Sequence, residues 1–174
     1  TFEIIGVEPD AFAIAGHDIS VGRAINQNDL DERRKVVVIG TSVREVLFEP
    51  GEDVIGEELK VAGVNFTVIG VFETTSRDPG DQEKIITANT TLRTTFNQMG
   101  WIGHIQIAPV DGYTAAELEA KAKAVILERH RVHPDDVGAL GSFNLEKEFN
   151  KVQGLFMGIQ IFTWVVAIGT IFAG

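Results

Sequence analysis

The chain has 174 residues, of which 44% are hydrophobic and 23% charged, and this is enough material for one folded domain or two small ones. The 25 acidic residues outnumber the 15 basic ones and leave a formal net charge of −10, which argues against nucleic acid or an anionic membrane surface as a binding partner. The chain has no cysteine, so a disulfide framework, a thiolate metal site and a thiol nucleophile are excluded.

The first part of the chain predicts short strands mixed with short helices. It begins at Thr1 within an apolar alternation, a start that is typical of a segment cut from a longer protein. Residues 2–7 alternate as a strand that ends before Pro9. The continuous apolar run at 36–39 predicts a second strand, one that is covered on both faces.

A helix and a hairpin follow. Residues 41–48 predict a helix that opens with a capping box of Ser42 and Glu45. Residues 59–61 and 65–72 flank an Ala-Gly pair, and this arrangement predicts a β-hairpin.

The middle of the chain predicts a loop, two strands and a helix. Residues 74–82 are polar with a Pro-Gly turn and predict an exposed loop. Residues 85–88 and 104–108 predict strands, and residues 89–98 between them predict a helix.

The clearest water-facing helix is predicted over residues 114–131. Thr114 and Glu117 form a capping box at its start, and an apolar stripe recurs at helical spacing. Glu119 and Lys123 are four residues apart and predict an ion pair on a solvated face. After this helix, we expect Phe143 to open a last short strand, and residues 145–151 to form a helix that continues into the apolar tail.

Formal charge ends at Lys151, and residues 152–174 carry none. A helix over residues 155–174 would be about 30 Å long, the thickness of the hydrocarbon core of a bilayer. The alternative is a buried helix at the end of a soluble domain. Such a helix usually keeps a polar stripe, whereas apolar residues occur here on every face, so the pattern favours a membrane span.

Polar residues near and within the span refine this prediction. Two Glu and two Lys cancel just before it, and the missing cationic surplus favours a folded part outside the cytoplasm. Gln153 and Gln160 share one helix face, which we expect to contact protein. Trp164 prefers the membrane interface, so the span is expected to start late and be truncated. Gly154 and Gly158 have the GxxxG spacing of close helix packing.

The chain lacks the sequence signatures of phosphate-binding loops, dinucleotide sites, nucleophile elbows and zinc proteases. His130, His133, Asp135 and Asp136 are metal-binding residue types, but at a helix end a capping and solvating role is favoured over a metal site. Residues 78–81 lack the alternating oxygen ligands of a calcium loop and predict a turn. We therefore expect no catalytic, cofactor-binding or metal-binding residue.

Glycines, aliphatic residues and a few others follow one another in a fixed order: Gly6, Val7, Pro9, Phe12, Gly22, Arg23, Asp29, VVVIG at 36–40, Leu47, Phe48, Gly56 and VIGV at 68–71. In this order and spacing the chain resembles the MacB-like periplasmic core domain of ABC transporter permeases, which leads into a membrane segment of the FtsX-like permease family. The resemblance covers nearly the whole chain. Glu57 and Glu58 follow Gly56 where family members often have Lys, so the role of that lysine does not transfer.

The resemblance implies a small α+β extracytoplasmic domain with a mixed sheet over residues 1–151, lacking its N-terminal part, and the start of a transmembrane helix over residues 152–174. It implies that ATP hydrolysis takes place on a separate nucleotide-binding domain or subunit and that this chain is not an enzyme. The implied partners are an ATP-binding cassette ATPase domain or subunit, a second permease protomer forming a dimer, and a periplasmic adaptor. The implied location is the cell inner membrane, with the folded domain in the periplasm.

A transporter of this kind transmits ATP-driven motion of its membrane helices to export or extraction of a substrate across the cell envelope. Such motion needs a stiff link, and the helical pattern runs without proline from Leu145 into the membrane. We therefore predict a coupling helix with Leu145, Lys151, Gly154, Gly158 and Gln160, which the two glycines would soften.

Two other functions remain open at this point. One is a membrane-tethered binding or scaffold module that is not coupled to an ATPase, and the other is a soluble enzyme with a buried C-terminal helix.

Cell fractionation separates the soluble enzyme from the two membrane proteins. Because the apolar tail needs lipid, residues 1–151 expressed alone should stay in the aqueous fraction, whereas the whole chain should require detergent for extraction. A whole chain that is monomeric in buffer without detergent would contradict the membrane span.

Overall fold

The computed structural model describes residues 2–75, 79–98, 100, 102–110, 112–133, 136, 138 and 140–173. The chain divides into two compact units, Thr1–Gln106 and Ile107–Gly174. The first unit combines strands and short helices, and the described part of the second unit contains two longer helices.

The strands of the first unit are β1 (Glu3–Val7), β2 (His17–Gly22), β3 (Val36–Gly40), β4 (Glu58–Val61), β5 (Val64–Thr74) and β6 (Lys84–Ala88). Among the described residues they form one sheet in the order β1-β6-β3-β5-β2, with β4 also paired to β5. β1 with β6 and β3 with β5 are parallel, whereas β3 with β6 and both β2 and β4 with β5 are antiparallel. This mixed sheet confirms the predicted α+β class.

The helices are α1 (Ala11–Ala15), α2 (Gln27–Asp31), α3 (Thr41–Leu47) and α4 (Asn89–Thr95) in the first unit, and α5 (Ala115–His130) and α6 (Leu145–Ala173) in the second. A 3-10 turn spans Pro79–Glu83. The helices predicted over 41–48, 89–98 and 114–131 are confirmed, each slightly shorter than expected.

Apolar side chains cover both faces of the sheet. On one face, Val37 and Ile39 of β3 are fully buried in a cluster with Val43 of α3. On the other face, Val38 is fully buried in a cluster with Phe12 of α1. Burial of each such side chain stabilises the fold by about 1.5–3 kcal/mol. The continuous apolar run of β3 is therefore covered on both faces of the sheet, as predicted.

The β4–β5 hairpin is confirmed at the predicted position. Ala62 and Gly63 connect the strands with φ angles of +48° and +87°. Two successive positive φ angles define a type I′ turn, whose twist matches that of antiparallel strands. The Ala-Gly pair therefore sets the register of the hairpin.

Two glycines allow the backbone to approach itself beside the β2–β5 ladder. A Cβ atom at Gly22 would lie 2.2 Å from the carbonyl oxygen of Ile69, and one at Gly70 would lie 2.4 Å from that of Arg23. The register of β2 on β5 shifts just before this contact. A side chain at either glycine would push the two strands apart.

Asp29 is a carboxylate buried in the core. Its oxygens accept hydrogen bonds of 2.6 and 3.0 Å from the Arg23 guanidinium, and it forms a capping box with Asn26 at the start of α2. Burial alone would raise the pKa of Asp29, but the hydrogen bonds from Arg23 and Asn26 and the charges of Arg23 and Arg34 hold it below its usual value. The ion pair thus anchors the chain after β2 to α2.

Three predicted features are wrong. Residues 104–108 form no strand, because apolar alternation alone makes no ladder and no described strand pairs with them. Phe143 is 79% exposed and likewise lies outside any strand. The capping box of Ser42 and Glu45 is absent, because the N-cap of α3 is Gly40, two residues before Ser42, and glycine has no side chain to make the bond.

The predicted loop over residues 74–82 is only partly tested. Its first residue ends β5, and its last four belong to the 3-10 turn. Residues 76–78 lie outside the described residues.

Replacing Asp29 tests the ion pair between this buried carboxylate and Arg23. Asp29→Ala removes the bonds to Arg23 and the helix cap, and should lower the free energy of unfolding by about 2–3 kcal/mol. Because folding lowers the pKa of Asp29, its contribution is present above its ordinary value and is lost as the pH falls toward the folded pKa. The difference between wild type and Asp29→Ala, measured by urea denaturation, should therefore shrink below about pH 4.

Asp31→Ala is the matched control, because Asp31 is an exposed aspartate on the same helix. It should change the free energy of unfolding by less than about 0.5 kcal/mol. Equal losses in the two variants would show that Asp29 holds no special position.

Candidate functional site

The longest element of the protein is α6, a continuous helix of 29 residues. It is about 43 Å long at the usual rise per residue. Within the described residues, the segment Leu145–Ile168 is long and apolar enough to cross a membrane, and none of its most apolar window is buried in the protein. Phe156, Phe162 and Trp164 are each more than 60% exposed.

The structure places the predicted coupling residues along α6. Leu145 is its first residue, and Lys151 lies two turns later with its ammonium 2.7 Å from a carboxylate oxygen of Glu148. A Cβ atom at Gly154 or Gly158 would meet nothing within 4 Å. Gln160, the remaining predicted coupling residue, borders a shallow depression on the helix surface that Thr163, Trp164 and Ala167 also line.

The start of α6 is joined to the start of α5 by polar contacts. The side chain of Asn144 accepts a 3.1 Å hydrogen bond from the amide of Lys147, and this contact caps α6. A carboxylate oxygen of Glu146 accepts a 2.9 Å bond from the amide of Ala115, the first residue of α5. A carboxylate at the N-terminus of a helix also interacts favourably with the helix dipole.

Glu119, one turn into α5, is the centre of this junction. It accepts hydrogen bonds of 2.7 Å from Lys123, 2.6 Å from Ser142 and 3.0 Å from Asn144. The bonds from Lys123, Ser142 and Asn144 and the charge of Lys123 lower the pKa of Glu119 to about 2, against a small opposing effect of burial. We call Glu119, Lys123, Ser142 and Asn144 the α5–α6 junction.

The ion pair of Glu119 and Lys123 is confirmed, but its interpretation as a purely solvated pair is wrong. The carboxylate also binds Ser142 and Asn144, which are more than twenty residues away along the chain. Helical spacing reveals neighbours only three or four positions apart, so no spacing rule points to these contacts. The capping pattern of Asn144 was the one available signal that α6 starts here.

Among the described residues, no group of three or more His, Asp or Glu side chains is arranged to hold a metal ion. Of the residues weighed as a metal cluster, Asp135 lies outside the described part of the chain. In the predicted turn at 78–81, Asp81 forms an ion pair with Lys84.

The residues that carry the sequence resemblance belong to the scaffold of the first unit. They include the largely buried strand β3, the close backbone contact at Gly22 and Gly70, and the ion pair of Arg23 and Asp29. The sequence model of the MacB-like periplasmic core domain matches residues 1–125. The chain belongs to that family. The predicted family is therefore confirmed.

Curated relatives of this MacB-like chain are named MacB. The macrolide export ATP-binding/permease proteins MacB of Shigella dysenteriae serotype 1 and of Escherichia coli K12 are each 26% identical to it over 171 residues. The match covers 97% of this chain but only 26% of each relative. The MacB-like chain thus spans about a quarter of the length of these proteins.

Solved structures share the fold. The periplasmic region of MacB from Actinobacillus actinomycetemcomitans matches with a TM-score of 0.60 and 19% identity, covering 73% of this chain and 56% of that one. The extracellular domain of the noncanonical ABC-type transporter YknZ from Gram-positive bacteria matches with a TM-score of 0.56 and 16% identity, covering 75% and 65%. The MacB-like fold therefore occurs in proteins with little overall sequence identity.

The titration of Glu119 tests the α5–α6 junction. Since hydrogen bonds and the charge of Lys123 stabilise the ionised carboxylate, its NMR chemical shift should titrate near pH 2 rather than 4.5. Ser142→Ala should move the midpoint upward by removing one donor. Because folding lowers the pKa, the junction should stabilise the protein above the ordinary value and lose this contribution as the pH falls toward 2. An ordinary glutamate midpoint in the wild type would contradict the junction.

Proposed function

We propose that this chain is the extracytoplasmic part of an ABC transporter permease subunit. In this role it transmits ATP-driven motion of the membrane helices to export or extraction of a substrate across the cell envelope. The observation that carries the proposal is α6, an uninterrupted apolar helix that follows a domain of the MacB-like family. Curated relatives that combine ATP-binding and permease functions in their names support it.

Lipid is the solvent that suits α6. Contact of its exposed apolar side chains with water is unfavourable. In hydrocarbon, by contrast, a helix satisfies its own backbone hydrogen bonds. The proposed boundary lies at the last charge, with residues 1–151 outside the cytoplasm and residues 152–174 starting the span. The proposed location is the inner membrane, with the folded domain in the periplasm.

The proposed partners follow from the same assignment. ATP hydrolysis is assigned to an ATP-binding cassette domain or subunit on the cytoplasmic side, and not to this chain. A second permease protomer would complete a dimer, and a periplasmic adaptor would receive the substrate. Gln153 and Gln160 share one face of α6, and since amides are costly against lipid, this face is suited to contact other protein.

The coupling would work as a lever. A continuous helix transmits a displacement along its axis, because each backbone amide is hydrogen-bonded to the carbonyl four residues earlier. In the described chain α6 continues from Leu145 through Lys151 to Gly158 without a break. A shift of the membrane part of α6 would therefore reach its first turn outside the membrane.

Lys151→Pro tests the lever. Proline removes a helix hydrogen bond and clashes with the preceding turn at a cost of about 3 kcal/mol, so α6 should kink at the membrane surface. In the full-length transporter, this variant should keep ATP turnover but lose most substrate export. Export and ATP hydrolysis are measured together in vesicles that contain equal amounts of inserted protein.

Lys151→Ala is the matched control. It removes the ion pair with Glu148 but keeps the helix, and should export at close to the wild-type rate. Normal export by correctly inserted Lys151→Pro would exclude the lever. If export by the wild type does not depend on ATP hydrolysis, a membrane-tethered scaffold is favoured instead.

A further inference from the structure

The apolar packing of α5 is incomplete. None of its residues is fully buried: Leu118 and Ile126 of the predicted apolar stripe are half-buried, and Val125 is 64% exposed. Hydrophobic contacts stabilise a helix in proportion to the area removed from water, so exposed positions contribute little. Other contacts therefore add to this partial packing where α5 meets the first turn of α6.

Polar contacts do so at two levels of α5. At its first residue, the amide of Ala115 binds the carboxylate of Glu146. One turn further, Glu119 binds Ser142 and Asn144, of which Asn144 also caps α6. The same side chain that starts α6 thus reaches a carboxylate on α5.

We propose that Glu119 is the positioning residue that makes α5 follow the movement of α6. The proposal rests on the transport function proposed above and deepens it. Glu119 holds Ser142 and Asn144 with its two carboxylate oxygens, while Lys123 neutralises its charge from the next turn of α5. A displacement of the first turn of α6 is then passed to α5 through these bonds.

The other acidic residues on α5 do not have this role. Glu117 is bound to the amide and hydroxyl of Thr114 within the cap of α5 itself. Glu128 is exposed and lies near the other end of the helix. Among the described contacts, Glu119 is the glutamate on α5 whose side chain reaches the segment that starts α6.

The bond lengths limit how far the two helices can separate at the α5–α6 junction. Bonds of 2.6–3.0 Å lie within the range of hydrogen bonds, and a separation well beyond it breaks them. Helix shifts of about 1–2 Å are typical of coupled motions. A shift of this size either moves α5 together with α6 or breaks the bonds to Glu119.

The test uses the full-length transporter in vesicles. Glu119→Ala removes every junction bond of this side chain, whereas Glu119→Gln keeps an acceptor oxygen but loses the charge that Lys123 neutralises. We expect export to fall about tenfold in Glu119→Ala and less in Glu119→Gln, with ATP turnover within twofold of wild type. Ser142→Ala, which removes one donor, should also lower export. Glu128→Gln, the matched control, should behave as wild type.

Hydrogen exchange adds a readout of the joint itself. The amides of the first two turns of α5 should exchange faster in Glu119→Ala and in Ser142→Ala, but not in Glu128→Gln. A loss of export together with an equal loss of ATP turnover would overturn the proposal, because it would indicate a general defect. If Glu119→Ala does not insert, Ser142→Ala decides the outcome by the same two measurements.

The failure of this proposal is distinguishable from failure of the lever. If Lys151→Pro abolishes export but Glu119→Ala and Ser142→Ala do not, α6 is the lever and Glu119 is not its joint. If Lys151→Pro also exports normally, the transport role proposed for α6 fails as a whole.

Discussion

The exposed apolar surface of α6 is the feature on which the proposed membrane role of the second unit depends. Its exposed phenylalanines, isoleucines and Trp164 are not covered by any described part of the protein. Two hydroxyls on α6 are satisfied within the helix, since those of Thr163 and Thr170 donate hydrogen bonds to the carbonyls of Ile159 and Val166 one turn earlier. The α5–α6 junction thus lies at the polar end of a helix that is otherwise largely apolar.

Different interactions stabilise the first unit, and they involve residues of the family pattern. The partly exposed guanidinium of Arg23 pairs with the buried carboxylate of Asp29, and Gly22 and Gly70 let two backbone segments meet. These residues shape the fold of the first unit. Membership of the family consequently predicts the architecture of the domain, whereas the identity of a cargo would depend on surfaces that the pattern does not include.

Much of this architecture could be predicted from the sequence, because the elements concerned have local signals. The apolar run of β3, the Ala-Gly turn before β5, the cap of α5 and the charge-free part of α6 beyond Lys151 are each indicated by residues close together in the sequence. Strand β2 was not predicted, because most of its side chains are exposed and only Ile19 and Val21 make up its apolar alternation. Residues 104–108 show the opposite case, an alternation without a partner strand.

The α5–α6 junction could not be predicted, because it depends on tertiary contacts. Glu119 meets Ser142 and Asn144 only after the intervening chain has turned back, and no periodicity encodes that return. The buried state of Asp29 was equally hidden, since a capping box with Asn26 predicts an exposed helix start and not a core carboxylate.

The low pKa of Glu119 has a consequence for the surroundings in which such a domain would work. A compartment outside the cytoplasm is poorly buffered by the cell and can follow the acidity of the medium. With a pKa of about 2, only about 1% of Glu119 would be protonated at pH 4. The contact between α5 and α6 would keep its charge in an acidified habitat, where an ordinary glutamate would already be largely neutral.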